Sequence, residues 1–268
     1  MAGAGPYNSP MSPRTSRKLP IPTQTERPDS GHDIIYGVHA VEAALSNPRR
    51  RVRSLAVTKN GLDRLNEVLP ALPVEPEVLH PRELDRRLDA GAVHQGVLLM
   101  ADPLAQPRLD QIERSGIVVV LDQVTDPHNV GAILRSCAAF GVTALVTTAR
   151  HAPSLTAVLF KAASGAAEVV PFVRVTNLAR ALEELKSYSF ETIGLDSDAS
   201  QAIHETAPRL PVALVLGAEG KGLRHLTRQI CDRLVRLNLP GAITSLNVSN
   251  AAAVALYALS NATVEPSA

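Results

Sequence analysis

VALVLGAEGKGL (Val212 to Leu223), LVRLNLPG (Leu234 to Gly241) and SLNVSNAAAVALYAL (Ser245 to Leu259) follow one another near the end of the chain. The apolar runs Val212 to Leu216 and Leu234 to Leu239 have the length and composition of strands. Each empties into a turn of glycine and small polar residues before a helical pattern begins. In α/β proteins, ligands sit at such strand-to-helix exits. The stretch is therefore expected both to fix the fold class and to hold the site.

Upstream the same alternation continues. IVVVLD (Ile117 to Asp122) is an uninterrupted apolar run of the kind buried on both faces of a parallel sheet. In QVTDPHNVGAILRSCAAFG, Val130, Ile133, Leu134, Cys137 and Ala138 fall at helical spacing and Gly141 closes the helix. Gly131 and Arg135 are four apart and off that stripe, so they are expected to share a face. ALVTT, PFVRV and ETIGLD read as further strands, with helices at Ser154 to Ala163 and Leu178 to Lys186 between them. The pattern predicts an open, doubly wound, mostly parallel sheet.

A smaller α/β unit precedes it, from Asp33 to Ala101, with helices HAVEAALS and GLDRLNEVL and strands SLAVT and HQGVLLM. Residues 102–115, with Pro103 and Pro107 and little periodicity, read as a linker to a second domain at 116–268. Residues 1–32 are rich in Pro, Ser, Gly and Thr and mildly basic, which predicts a disordered tail. Its prolines would break the amphipathic helix of an organelle transit peptide. Arg49, Arg50, Arg51 and Arg53 lie between the first helix and the first long strand. There they either form a solvated loop or contact phosphates.

The chain of 268 residues, 45% apolar, is long enough to bury a full core. A net charge of +1 argues against a globally basic nucleic-acid binder and leaves RNA or DNA contact to local patches. No apolar run approaches the roughly 18 residues of a membrane helix. Cys137 and Cys231 lack partners at ligand spacing, which argues against zinc and against a disulfide scaffold and fits a reducing cytoplasm.

GAEGKG, from Gly217 to Gly222, is neither the GxGxxG dinucleotide fingerprint nor a P-loop, since it lacks the GK[ST] ending. Either Gly217 and Gly220 let backbone approach a ligand beside the Glu219 carboxylate, or they serve turn geometry alone. Asn129 follows DPH at a helix start, where it either caps the helix or acts in a site. Ser245 and Asn247, which open the last helix, present the same choice. His128 reads as a turn residue.

Together, DPHNVGAILRSCAAFGV, LVLGAEGKGL and LNLPGAITSLNVSNAAAVALY resemble the three ordered motifs of the SpoU family in the SPOUT superfamily. That family transfers methyl from S-adenosylmethionine to a ribose 2′-hydroxyl of RNA. KAASGAAEVVPFVRVTNLARAL and IIYGVHAVEAAL add similarity to the branch that acts on a guanosine of large-subunit (23S) rRNA, whose first domain resembles ribosomal protein L30e. The resemblance assigns Asn129, Arg135, Glu219, Ser245 and Asn247 to the active site. It places Gly217, Leu237 and Leu246 on the cofactor, with Leu216 and Gly220 beside them. One departure stands at Asn238, where the family often has Pro; here Pro240 comes later.

The resemblance also implies a deep trefoil knot, with Gly217, Gly220 and Gly241 near the crossing, and a homodimer paired through the knotted region. The last helix, apolar around nearly its whole circumference from Ala251 to Leu259, is expected to be covered by that partner, with Ala252 or Ala255 facing it, or else by helices of its own domain. The resemblance implies no metal. Taking a proton from an arginine at neutral pH costs roughly 7 kcal/mol by the ordinary guanidinium pKa. The role expected of Arg135 is therefore a clamp on the RNA phosphate and the developing alkoxide, not a base. Two other readings stay open: the same chemistry on tRNA, and a catalytically silent RNA-binding protein of the same fold.

Overall fold

The computed structural model describes residues 31–150, 155–206 and 208–262. Of the tail expected at 1–32, all but Gly31 and His32 lies outside the described residues. The first unit is a four-stranded sheet with helices packed on it. Its elements run β1 (Asp33–Tyr36), α1 (Val38–Ser46), β2 (Val52–Val57), α2 (Lys59–Val68), β3 (Glu77–Val78), α3 (Pro81–Asp85) and β4 (Val97–Ala101). Strand order is β1-β4-β2-β3, antiparallel except at the β2–β3 edge. Thr58 starts α2 by accepting a hydrogen bond from Gly61 N through its side chain.

The second unit comprises β5 (Ile117–Asp122), α4 (Pro127–Ala139), β6 (Ala144–Thr148), α5 (Ala157–Ala163), β7 (Phe172–Val175), α6 (Leu178–Ser187), β8 (Glu191–Leu195), β9 (Gln201–Ala202), β10 (Val212–Gly217), α7 (His225–Ile230), β11 (Arg233–Arg236) and α8 (Val248–Ala262). Its seven strands are ordered β7-β6-β5-β10-β8-β11-β9, every pair parallel. β5 shows why its run is apolar throughout. Ile117, Val119 and Leu121 pack on the face covered by α4, α5 and α8, and Val118 and Val120 on the face covered by α6.

Four expectations need correction. The linker is not free of structure, because a 3-10 turn at Leu109–Gln111 buries Leu109 and Ile112 in the second unit's core. Helix α5 begins at Ala157, where the Thr156 side chain accepts from Leu159 N as its N-cap. Gly131 is buried and so not off the apolar stripe of α4, although Arg135 one turn on is exposed. A Cβ there would strike the Ala162 side chain of α5, so glycine permits the two helices to close. Ala138, expected on the stripe, is exposed.

The arginine cluster is not a solvated loop as a whole. Arg50 is only 6% exposed and lies between the units, its Nη1 2.5 Å from Asp33 and its Nη2 2.6 Å from Glu168. Its guanidinium also sits over the Phe160 ring, 5.6 Å from the centroid, and Phe160 of α5 is buried in the first unit's core. Arg53 forks onto Asp102 with two 2.6 Å hydrogen bonds. Arg49 donates to the Glu168 carbonyl at 3.1 Å. Burial pushes the Asp33 carboxyl above its usual range, against the pull of Arg50. The two units are thus joined by a buried ion triad and an inserted aromatic ring.

Candidate active site

The C-terminal ends of β8 and β10 and the start of α8 enclose a cleft of about 330 Å³. Leu216, Gly217, Glu219 and Gly220 form one wall and Ser245, Leu246 and Asn247 the other. Seven of the ten sequence-predicted site residues therefore meet in one place although the two walls are far apart in sequence. The mix of apolar Leu195, Leu216, Leu246 and Val248 with polar Ser197, Ser245 and Asn247 suits a ligand with a flat apolar portion and polar ends.

Local chemistry explains the walls. β10 ends in a tight turn, closed by Gly222 N donating to Ala218 O at 2.8 Å. A Cβ on Gly217 would strike Gly222 and Leu223 backbone, so this glycine closes the turn on itself. Gly220 adopts φ +75° with open space around it, so it is needed for its backbone and not for a close crossing. Gly241 has neither a positive φ nor a neighbour that a Cβ would meet, which corrects the expectation that it marks a tight crossing.

Across the cleft, Asn247 Oδ1 accepts from Ser249 N at 2.9 Å at the start of α8, while its Nδ2 donates to Glu219 at 3.2 Å. That last bond ties the GAEGKG turn to the final helix. Ser245 is exposed on the cleft rim, and Leu246 is 37% exposed. Leu237 is half-buried, packed against the core beneath, and does not line the cleft.

Asn129 and Arg135 stand elsewhere. Asp126 is the N-cap of α4, its carboxylate accepting from His128 N and Asn129 N at 3.2 and 3.1 Å, so the Asn129 side chain is not the cap. Arg135 is exposed, two turns further along α4, and opens onto a shallow depression shared with His39, Glu42, Ala43 and Ser46 of α1 and with Ser164. Within one chain, Arg135 and the Glu219–Asn247 cleft are separate surfaces.

Sequence reasoning missed Asp122 and Arg224. Asp122 ends β5 fully buried and accepts from Arg224 Nε at 2.6 Å and Arg224 N at 3.0 Å, which fixes the chain just after the glycine turn. A carboxylate closing an otherwise apolar strand was the available signal. A cavity of about 670 Å³ runs between the units along the linker and touches none of the predicted site residues.

Two family models match the chain: the SpoU rRNA Methylase family at residues 116–257, and RNA 2′-O ribose methyltransferase substrate binding at residues 34–107. The chain is 41% identical over 232 residues to the 23S rRNA (guanosine-2′-O-)-methyltransferase RlmB of Pseudomonas putida, covering 83% of this chain and 94% of that protein. Against the RlmB of Haemophilus influenzae identity is 39% over 235 residues, covering 83% and 95%. Among solved structures, the SpoU methyltransferase AviRb from Streptomyces viridochromogenes in complex with AdoMet superposes with a TM-score of 0.74 at 23% identity, over 90% of this chain and 94% of that one. A glycine turn bonded to the head of the last helix, on an all-parallel sheet, and two matching family models covering both units lead to one conclusion: the chain belongs to the SpoU rRNA methylase family.

Proposed function

We propose that this protein transfers a methyl group from S-adenosylmethionine to the ribose 2′-hydroxyl of a guanosine in 23S rRNA. The observation that carries the reading is the cleft in which Asn247 of the last helix donates to Glu219 of the glycine turn. Identity of 41% to a relative of that stated activity, over nearly its whole length, supports the substrate class. The substrate-binding model on the first unit supports RNA as the ligand of that unit.

The cleft residues fit the cofactor. Leu195, Leu216 and Leu246 offer an apolar bed for a flat base, and Ser197, Ser245 and the exposed turn backbone offer partners for its polar ends. When bound, the cofactor supplies an activated methyl on a sulfonium, so no metal is needed for electrophilicity. Glu219 and Asn247 hold each other and thereby fix the gap between the two walls. Arg135 presents a guanidinium that clamps a phosphate and stabilises charge developing on the 2′-oxygen. Its separation from the cleft within one chain is what a homodimer would resolve, one copy lending Arg135 to the site of the other. The deep trefoil knot belongs to this reading, as does a reducing cytoplasmic setting in which Cys137 and Cys231 stay free.

The test is a map of ribose 2′-O-methylation in rRNA and tRNA from cells with and without the protein. One guanosine of 23S rRNA should lose its mark. Loss confined to tRNA, or no loss with cofactor binding intact in calorimetry, would overturn the reading.

A further inference from the structure

A second cleft, of about 320 Å³, opens at the C-terminal ends of β6 and β7, on the same edge of the sheet as the cofactor cleft but across β5 from it. Thr148, Arg150, Thr176, Asn177, Arg224 and Thr227 line it. No acidic side chain is among its described lining residues. The carboxylate that contacts its wall, Asp122, is already engaged by Arg224 at 2.6 Å.

Three independent features point at an anion. The first is Thr148, which ends β6 at 5% exposure with an Oγ1 that has no hydrogen-bond partner among the described residues. A buried hydroxyl without a partner costs stability unless something visits it. The second is the ten-residue helix α6, whose first turn faces the cleft. Asn177 caps it by accepting from Arg180 N at 3.2 Å, while Leu178 and Ala179, whose amides precede the first intrahelical bond, line the opening. The third is a pair of guanidinium groups. Arg150 is exposed and makes no ion pair among the described residues. Arg224 binds Asp122 through Nε and backbone N, and its outer nitrogens make no hydrogen bond among the described residues.

We infer that this cleft is a second RNA subsite, which takes a backbone phosphodiester flanking the methylated nucleotide. The inference rests on the RNA methyltransferase reading above. One phosphate oxygen meets the α6 amides and a rotated Thr148 hydroxyl, and the others meet Arg150 and Arg224. Leu226, 56% exposed at the rim, is placed to contact the adjoining sugar or base. Because Arg224 also fixes the turn after Gly217, an occupied subsite would stiffen the wall of the cofactor cleft.

The experiment compares wild type with Arg150→Ala, Thr148→Val and Thr148→Ser. It measures methyl transfer to a 23S rRNA fragment, RNA binding at several salt concentrations, calorimetric cofactor affinity and thermal unfolding. Arg150→Ala should raise the KM for RNA about tenfold and lower the salt slope of RNA binding by about one, with kcat and cofactor affinity unchanged. Thr148→Val should raise KM without lowering the melting temperature, since no hydrogen bond is lost, and Thr148→Ser should restore it. Scanning neutral methylphosphonates through the fragment should find one flanking position that weakens binding to wild type and not to Arg150→Ala.

A wild-type KM and salt slope in both Arg150→Ala and Thr148→Val would overturn the subsite. So would inhibition by inorganic phosphate that Arg150→Ala relieves while RNA binding is unaffected, which would mark a site for free anions. If wild type binds the cofactor and RNA but transfers no methyl, the activity reading fails while the salt slopes still decide the subsite.

Discussion

Asn247 holds two structures with one side chain: its Oδ1 serves the N-terminus of α8 and its Nδ2 serves Glu219. Asn247→Ala should lose about 1 kcal/mol of stability for the cap and should also weaken cofactor binding, because the cleft walls come untied. Asn247→Asp separates the two roles. It keeps an acceptor for Ser249 N but places a carboxylate against Glu219, so unfolding should stay near wild type while calorimetric cofactor affinity falls. If both fall together, the contact with Glu219 carries no weight of its own. Arg135→Ala should abolish transfer and leave cofactor affinity nearly unchanged, since Arg135 does not line the cleft proposed for the cofactor. A parallel loss of affinity would place its charge on the cofactor. That Glu219, Ser245 and Asn247 would line one cleft was legible because each stands in a short motif that follows a strand. Arg50 was not, since its partners Asp33 and Glu168 lie 17 and 118 residues away in the chain.

At the scale of elements, the sheet of the second unit was legible as alternating apolar strands and amphipathic helices. Its order was not. β10 pairs with β5 across about ninety intervening residues in register from Val212–Ile117 to Gly217–Asp122, and only tertiary packing decides that neighbour. The junction between the units was equally hidden, because a run of arginines reads as a surface until burial is known. Asp33, Arg50 and Glu168 form a triad in which the Arg50 and Glu168 side chains are 1% and 3% exposed. Removing one member leaves charge buried without a partner, so Glu168→Ala should cost about 3–5 kcal/mol. It should also loosen the first unit, visible as faster amide exchange in β1 and α1. A loss under about 1 kcal/mol in urea unfolding would mean that water compensates Arg50 and the triad is no clamp. Arg51, exposed and outside the triad, is the member of the original cluster to test for phosphate contact.

For the whole molecule, the question is what covers the outer side of α8. The helix is apolar around most of its circumference, and its own domain buries Ala251, Ala252, Ala255, Leu256 and Leu259. Ala252 and Ala255 are both 0% exposed, which corrects the expectation that either faces a partner. The free side carries Val254 at 46% and Tyr257 at 63% exposure, one turn apart. Large apolar side chains gathered on one surface mark an interaction site, and a two-fold pairing of α8 with itself is the commonest way to close one. Such pairing would also bring a second chain beside the cleft proposed for the cofactor, whose wall runs directly into α8 through Asn247, Val248 and Ala251. Val254→Arg combined with Tyr257→Arg should therefore give folded monomers with little transfer activity. Ala255→Arg should instead unfold the domain, because it forces a charge into a filled core. Light scattering at micromolar concentration separates these outcomes from the opposing one. A wild-type monomer that methylates RNA at full rate would mean that the exposed side of α8 serves another purpose and that Arg135 reaches the reacting ribose within a single chain.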